Sequence, residues 1–353
     1  MKDFIFKFIK IVLPICIGLY ICWYFWNSFD SDAKAAFFEV FKEADYFILS
    51  LSLLVGLFSH YARAKRWLYV LKPMGYKPTL FNSFNSIMIG YIMNILVPRM
   101  GEASRAGVLS ATDGIPFEKG FGSIVTERFI DLVCLIIICG VALLINLDNL
   151  DDILMLADKV NSSNDGSANA TSLITYITMT VLISGVVITS ALWFFNNTVR
   201  EKINKLFYGF ITGLKSIFVM QDRGLYLLYT VLIWVAYVLM FWIPFYAWGN
   251  LHEMPLDGML SAFIMGTVGF IIVQGGLGLY PIMVGIVITF YMNPVYIENN
   301  EQIAMPEHIG FGALLWVTQT MLVVVIGLFS FMMVRKAKKN IKNQESLSDS
   351  SSN

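Results

Sequence analysis

Charged side chains are scarce in this sequence, and two short segments put them where chemistry would need them. The first reads Asn94-Ile95-Leu96-Val97-Pro98-Arg99-Met100-Gly101-Glu102, with Ala103, Ser104 and Arg105 following. Pro98 cannot continue a helix and Gly101 permits backbone angles closed to other residues, so one helix ends here and another starts near Gly101. Glu102 and Arg105 lie three apart on one face of that second helix and can pair. A helix N-terminus offers free N–H groups and a positive dipole end. With Arg99 and Arg105 beside it, the segment suits an anion such as a lipid phosphate. The plainer reading is that Glu102 and Arg105 only pin the hairpin together, or sit at the membrane surface.

The second segment is Glu127-Arg128-Phe129-Ile130-Asp131. Glu127 and Asp131 are four apart, Arg128 and Asp131 three apart, so their side chains can meet on one face. Two readings stand. The carboxylates open a helix at the interface, or they dip into the membrane, where an unpaired charge costs at least about 2.5–3.5 kcal/mol. A third segment, Gln274-Gly275-Gly276-Leu277-Gly278-Leu279-Tyr280-Pro281, carries no charge. Its glycines break a helix and allow close approach of a backbone or head group, and Pro281 suits the first turn of a resuming helix. Small residues serve plain helix packing equally well. His60 reads as structural, and His252 and His308 fall in expected outer loops. Cys16, Cys22, Cys134 and Cys139 lie in apolar runs and read as small buried hydrophobes. There is no metal-ligand spacing, Ser-His dyad or His-Asp pair to mark a catalytic centre, and no cofactor is expected.

The elements that position these segments are membrane helices. Hydrophobic residues make up 57% of the chain and charged ones 14%, against about a quarter charged in soluble domains. The mean hydropathy is +0.67. Runs such as 132–145, 181–195 and 314–334 approach the ~20 apolar residues that cross a bilayer. Candidate spans cover roughly 8–26, 46–64, 122–146, 173–195, 224–248 and 311–334. Trp23 to Trp26 close the first span as an interfacial belt with no small-residue cleavage site after it, so it reads as a retained helix.

The net charge is zero, but charge is segregated along the chain. Segments 27–45, 147–172 and 294–309 are acidic, the middle one a flexible loop. Segments 63–79, 196–223 and the tail from Arg335 are basic. Short basic loops stay cytoplasmic, which puts both termini inside at an inner (plasma) membrane; nothing points to nucleic acid. Residues 80–110 must then enter and leave from the inside, and 258–293 from the outside. The expected fold is all-α: a polytopic transmembrane bundle with about six full spans and two re-entrant or broken helical hairpins in an inverted-repeat arrangement. That is an architecture of secondary transporters. The membrane domain covers 1–335, and 336–353 is expected to be a disordered, basic and Ser-rich tail.

Pro98 to Arg105, Glu127 to Leu132 and Gly275 to Gly278, in this order and spacing, resemble the lysylphosphatidylglycerol synthase transmembrane region. This flippase-like domain family is similar to the membrane portion of the multiple peptide resistance factor. The resemblance covers about residues 5–335. It implies a polytopic domain with broken helices that moves a phospholipid or lipid-linked anionic substrate between leaflets. By position, the family's Gly-Glu and Arg fall on Gly101, Glu102 and Arg105, its Glu-Arg-Asp helix on Glu127, Arg128 and Asp131, and its Gly-Gly-Leu-Gly on Gly275, Gly276, Leu277 and Gly278. The expected substrate-binding set is these residues, without Leu277, together with Arg99. One departure stands out: where the family usually has an acidic residue, often preceded by Arg, this chain has Tyr280 and Pro281. The synthase members also carry a soluble aminoacyl-transferase domain. With about twenty residues after the last predicted helix, this chain is expected not to perform that transfer. The alternatives are a membrane-embedded enzyme acting on lipid phosphates or acyl groups, and a non-transporting partner of an envelope-lipid synthase.

Overall fold

The computed structural model describes residues 16–97, 100–145, 220–299 and 304–351, and among them there is no strand. Two compact units are defined: residues 1–131 with 221–353, and residues 132–220. The expected span 173–195, the segments 147–172 and 196–219, and Arg99 lie outside the described residues. In chain order the helices are α1 over 16–28, α2 Ser31–Glu43, α3 Tyr46–Leu71, α4 Leu80–Leu96, α5 Met100–Asp113, α6 Phe117–Ile145, α7 Arg223–Trp242, α8 Leu256–Ile272, α9 Leu279–Met292, α10 Pro294–Asn299 and α11 Pro306–Ser351.

Among the described residues, four stretches are long and apolar enough to cross a membrane: Tyr46–Met74, Phe117–Ile145, Arg223–Tyr246 and Pro306–Arg335. They fall on four of the expected spans. Leu54, Val231, Leu239, Val325 and Met332 are exposed on them, as side chains solvated by lipid must be. This is an integral membrane protein.

Local chemistry sets the helix starts. The carboxylate of Asp45 accepts from the Phe47 and Ile48 N–H groups at 2.8 and 3.3 Å, Asp30 caps Ala33 at 2.8 Å, and Thr79 caps Asn82 at 3.1 Å. Each satisfies a donor that the first turn leaves without an intrahelical acceptor.

Both interrupted regions are antiparallel helical hairpins. In the first, Ser86 Oγ donates to Arg105 O at 2.7 Å and Asn94 Oδ1 accepts from Gly101 N at 2.7 Å, while Asn82 Nδ2 reaches both Asp113 oxygens at 3.1 Å. α4 stops at Val97, which is extended (φ −138°, ψ 117°), the conformation that a following proline imposes. In the second, Gly258 faces Tyr291, Gly266 faces Val284, and Gly269 faces Tyr280. Its tip needs glycine, because Gly275, Gly276 and Gly278 have φ of 70°, 73° and 76°, angles that cost other residues about 1–2 kcal/mol. The hairpins match in length: α4 and α8 have 17 residues, α5 and α9 have 14.

A core around Leu49, Phe241, Phe245, Ile288, Phe311 and Leu315 joins α3, α7, α9 and α11.

Three expectations change. The second span does not end at 64. α3 runs through Leu71 with Arg63 and Arg66 buried, because acidic partners on α6 neutralise them. The acidic 27–45 segment holds α2, whose Val40 is buried. The cysteines are not buried: Cys16 is exposed and Cys22, Cys134 and Cys139 are partly so, in helices whose outer faces lipid solvates. His308 is not in a loop. It is buried in the first turn of α11 with Nδ1 2.9 Å from Thr289 Oγ1. Over 336–351, where the tail lies, the backbone continues as helix; the stretch has neither Gly nor Pro to end it.

Candidate functional site

Most of the charged candidates converge on one place, where α3, α5 and α6 meet beside α7. Arg63 Nη1 donates to Asp131 Oδ2 at 3.0 Å and Arg66 Nη1 to Asp131 Oδ1 at 2.9 Å. Arg66 Nε lies 3.7 Å from Glu127 Oε1, and Arg105 Nη2 donates to Glu127 Oε2 at 2.9 Å. Arg128 Nη2 donates to Glu102 Oε1 at 2.8 Å, and its Nη1 is 3.9 Å from Asp131 Oδ2. The two carboxylates spaced four apart on α6 thus bridge guanidiniums from both neighbouring helices.

Aromatic and hydroxyl groups complete the surroundings. The Arg105 guanidinium lies 4.3 Å from the centre of the Trp67 ring, close enough for a cation–π attraction. Trp67 is held in turn by Nε1 donating to Ser123 Oγ at 2.8 Å. Arg63 Nη2 donates to Tyr237 Oη at 2.9 Å, and Arg66 lies 5.7 Å from the Tyr226 ring. Gly90 makes the room: a Cβ there would meet Arg105 Cγ at 2.5 Å and Gly101 O at 2.9 Å.

Burial and charge balance define what this cluster can do. Arg63, Arg66, Arg105 and Glu127 are buried and Asp131 nearly so, so three guanidiniums share two carboxylates. Among the described residues one positive charge is left over in a low-dielectric setting, where an anion is favoured. Among the described residues Arg66 Nη2, Arg63 Nε, Arg105 Nε and Tyr226 Oη have no hydrogen-bond acceptor or donor opposite them. The outer edge is open: the Arg128 side chain is 41% exposed and that of Glu102 27%. No group of His, Cys, Asp and Glu that could hold a metal occurs among the described residues.

The depth follows from α3. Tyr46 to Tyr61 carries no Asp, Glu, Lys or Arg, and at 1.5 Å per residue that is about 24 Å of helix. Arg63 and Arg66 therefore lie near one end of a bilayer core about 30 Å thick, on the side where α3 ends and α7 begins.

Of the ten candidate residues, Glu102, Arg105, Glu127, Arg128 and Asp131 form the network, and Gly101 lets α5 start against Asn94 and Gly90. The expected pairing of Glu102 with Arg105 does not occur; each pairs with α6 instead, because Arg105 points toward α6 and Trp67. Gly275, Gly276 and Gly278 are not part of the network. Their tip lies against α4 and is fastened elsewhere. Trp316 Nε1 donates to Gly275 O at 2.6 Å, and Gly278 abuts Cys22 and Gly18. Tyr280 covers Gly266, Gly269 and Gly276, and Pro281 packs against Gly312. Arg63, Arg66, Trp67, Tyr226, Tyr237 and Thr230, whose Oγ1 accepts from Arg66 Nη1 at 3.4 Å, are additions to the site. The signals were Arg63 and Arg66 three apart beside Trp67, and the Tyr226, Thr230, Tyr237 stripe at helical spacing.

The model of the lysylphosphatidylglycerol synthase TM region matches residues 11–297, and the chain belongs to that family. Among curated proteins it is similar to the glycosyltransferase AglD of Haloferax volcanii, 31% identical over 118 residues, or 33% of this chain and 19% of that protein. It is also similar to the UPF0104 membrane protein MJ1595 of Methanocaldococcus jannaschii, 36% identical over 69 residues, or 19% of this chain and 20% of that protein. The matches thus span about a fifth of each relative's length. No solved structure matches the chain significantly.

Proposed function

We propose that this protein moves a phospholipid or lipid-linked anionic substrate between the leaflets of the inner membrane, with both termini cytoplasmic. One observation carries the reading: a buried network with one guanidinium in excess, open at Arg128 and Glu102. A phosphate arriving at that edge meets Arg128. Arg105, bound to Glu127, positions the network and need not touch the substrate. The glycine tip of the second hairpin supplies the opposite half of an inverted pair, and the matched hairpin lengths support this pairing. Broken helices meeting at depth are how many transporters make a polar site inside hydrocarbon.

Reconstitution tests the proposal. Purified protein in liposomes with a headgroup-labelled anionic phospholipid should make the inner-leaflet pool reachable by an impermeant quencher, and Arg128→Ala should slow this. If the wild-type protein moves lipid no faster than empty vesicles across anionic and lipid-linked substrates, the reading fails. The glycosyltransferase name of the Haloferax relative favours a second reading, an enzymatic role on a membrane lipid. Mass spectrometry of lipids after overexpression separates the two, since an enzyme changes covalent products and a transporter changes only their sidedness.

A further inference from the structure

Away from the charge network, α1, α2, α9 and α11 enclose a cleft of about 270 Å³ beside the second hairpin tip. Its walls include Phe25, Phe29, Phe37, Phe41, Ala313 and Trp316. Among the described residues no charged side chain lines it, and the Trp316 indole N–H is already committed to the Gly275 carbonyl. A cavity of about 150 Å³ with such walls stays dry and takes up small hydrocarbons; this one is larger.

Its orientation is informative. Trp26 is one of its walls, and Lys34 Nζ sits 5.4 Å over that ring, in the charged and aromatic surroundings that mark a bilayer surface. Gly278, where the hairpin backbone is unwound, is another wall. On α1 the lining runs from Cys22, which abuts Gly278, to Trp26, about 6 Å along the helix axis. A chain entering at the surface would run inward along the membrane normal, as lipid tails do.

We infer that this cleft binds one hydrocarbon chain of a membrane lipid, acyl or polyprenyl, with the chain's inner end against Gly278 and Trp316. The inference needs only that the chain resides there, so it stands or falls separately from leaflet transfer.

Photolabelling tests it. The full-length protein is placed in phosphatidylcholine vesicles with a trace of phospholipid bearing a diazirine in one acyl chain, or of a diazirine polyprenyl phosphate. After illumination, peptide mass spectrometry compares Phe37, Phe41 and Ala313 with Leu54 and Val325, which are 62% and 64% exposed on the spans. Labelling of the cleft several-fold above those two positions is expected in the wild-type protein, and the probe that gives it identifies the chain as acyl or prenyl. Ala313→Phe fills the cleft and should remove that excess, whereas Ala313→Ser should keep it. Cleft labelling no higher than at Leu54 and Val325 with either probe overturns the inference. So does an excess that survives Ala313→Phe in protein of unchanged Tm.

Discussion

Asp131 accepts from two arginines of α3 at once, so its loss isolates more charge than the loss of any single guanidinium. Removing one partner of a buried ion pair costs about 3–5 kcal/mol. Asp131→Asn is expected to cost that much, read as a large drop in Tm in detergent. Arg128→Ala removes a half-exposed pair and should cost under about 1 kcal/mol. Equal Tm losses would mean that the network is wet rather than buried. The α6 and α5 members were legible in the sequence because charges inside an apolar run stand out. Arg63 and Arg66 were not. They merge with Lys65, Lys72 and Lys77 into what charge counting reads as a cytoplasmic loop. Only the partners on α6 reveal that the helix continues through them.

At the level of elements, the hairpins depend on glycine in a way that substitution can measure. A Cβ at Gly101 would collide with the Asn94 side chain and the Gly90 carbonyl, so Gly101→Ala should destabilise by about 1–3 kcal/mol. Gly107 lies on the same helix with nothing within 4 Å of its Cβ position. Gly107→Ala should instead stabilise by about 0.5–1 kcal/mol through helix propensity. Thermal unfolding of the two variants checks the contrast; losses of similar size in both would show that α4 and α5 are not packed at Gly101. Pro98 and the Gly275 to Gly278 cluster made the turns readable, because backbone chemistry there is local. α2 was missed although Phe37, Val40 and Phe41 recur at helical spacing, since its acidic residues dominated the reading. The fastening of the second tip by Trp316, 41 residues away, has no local signature at all.

For the whole molecule, the paired hairpins make a topological forecast. In a cysteine-free background, Ser110→Cys near the end of α5 and Glu253→Cys just before α8 are expected to react with an impermeant maleimide from opposite faces of the membrane. Labelling from the same face would remove the inverted arrangement and the leaflet-transfer reading built on it. Positive-inside bookkeeping supplied the expectation, and the matched helix lengths of 17 and 14 residues fit it.

The ion pairs between α3 and α6 also bear on biosynthesis. Arg66 and Arg63 leave the ribosome 65 and 68 residues before Asp131. Until α6 is made, α3 holds two guanidiniums with no counter-charge, a state hydrocarbon strongly disfavours. The translocon must therefore keep α3 beside it, or let it slide toward water, until its partner emerges. A nascent chain stalled before Glu127 should crosslink to the translocon through α3, and one released after Asp131 should not.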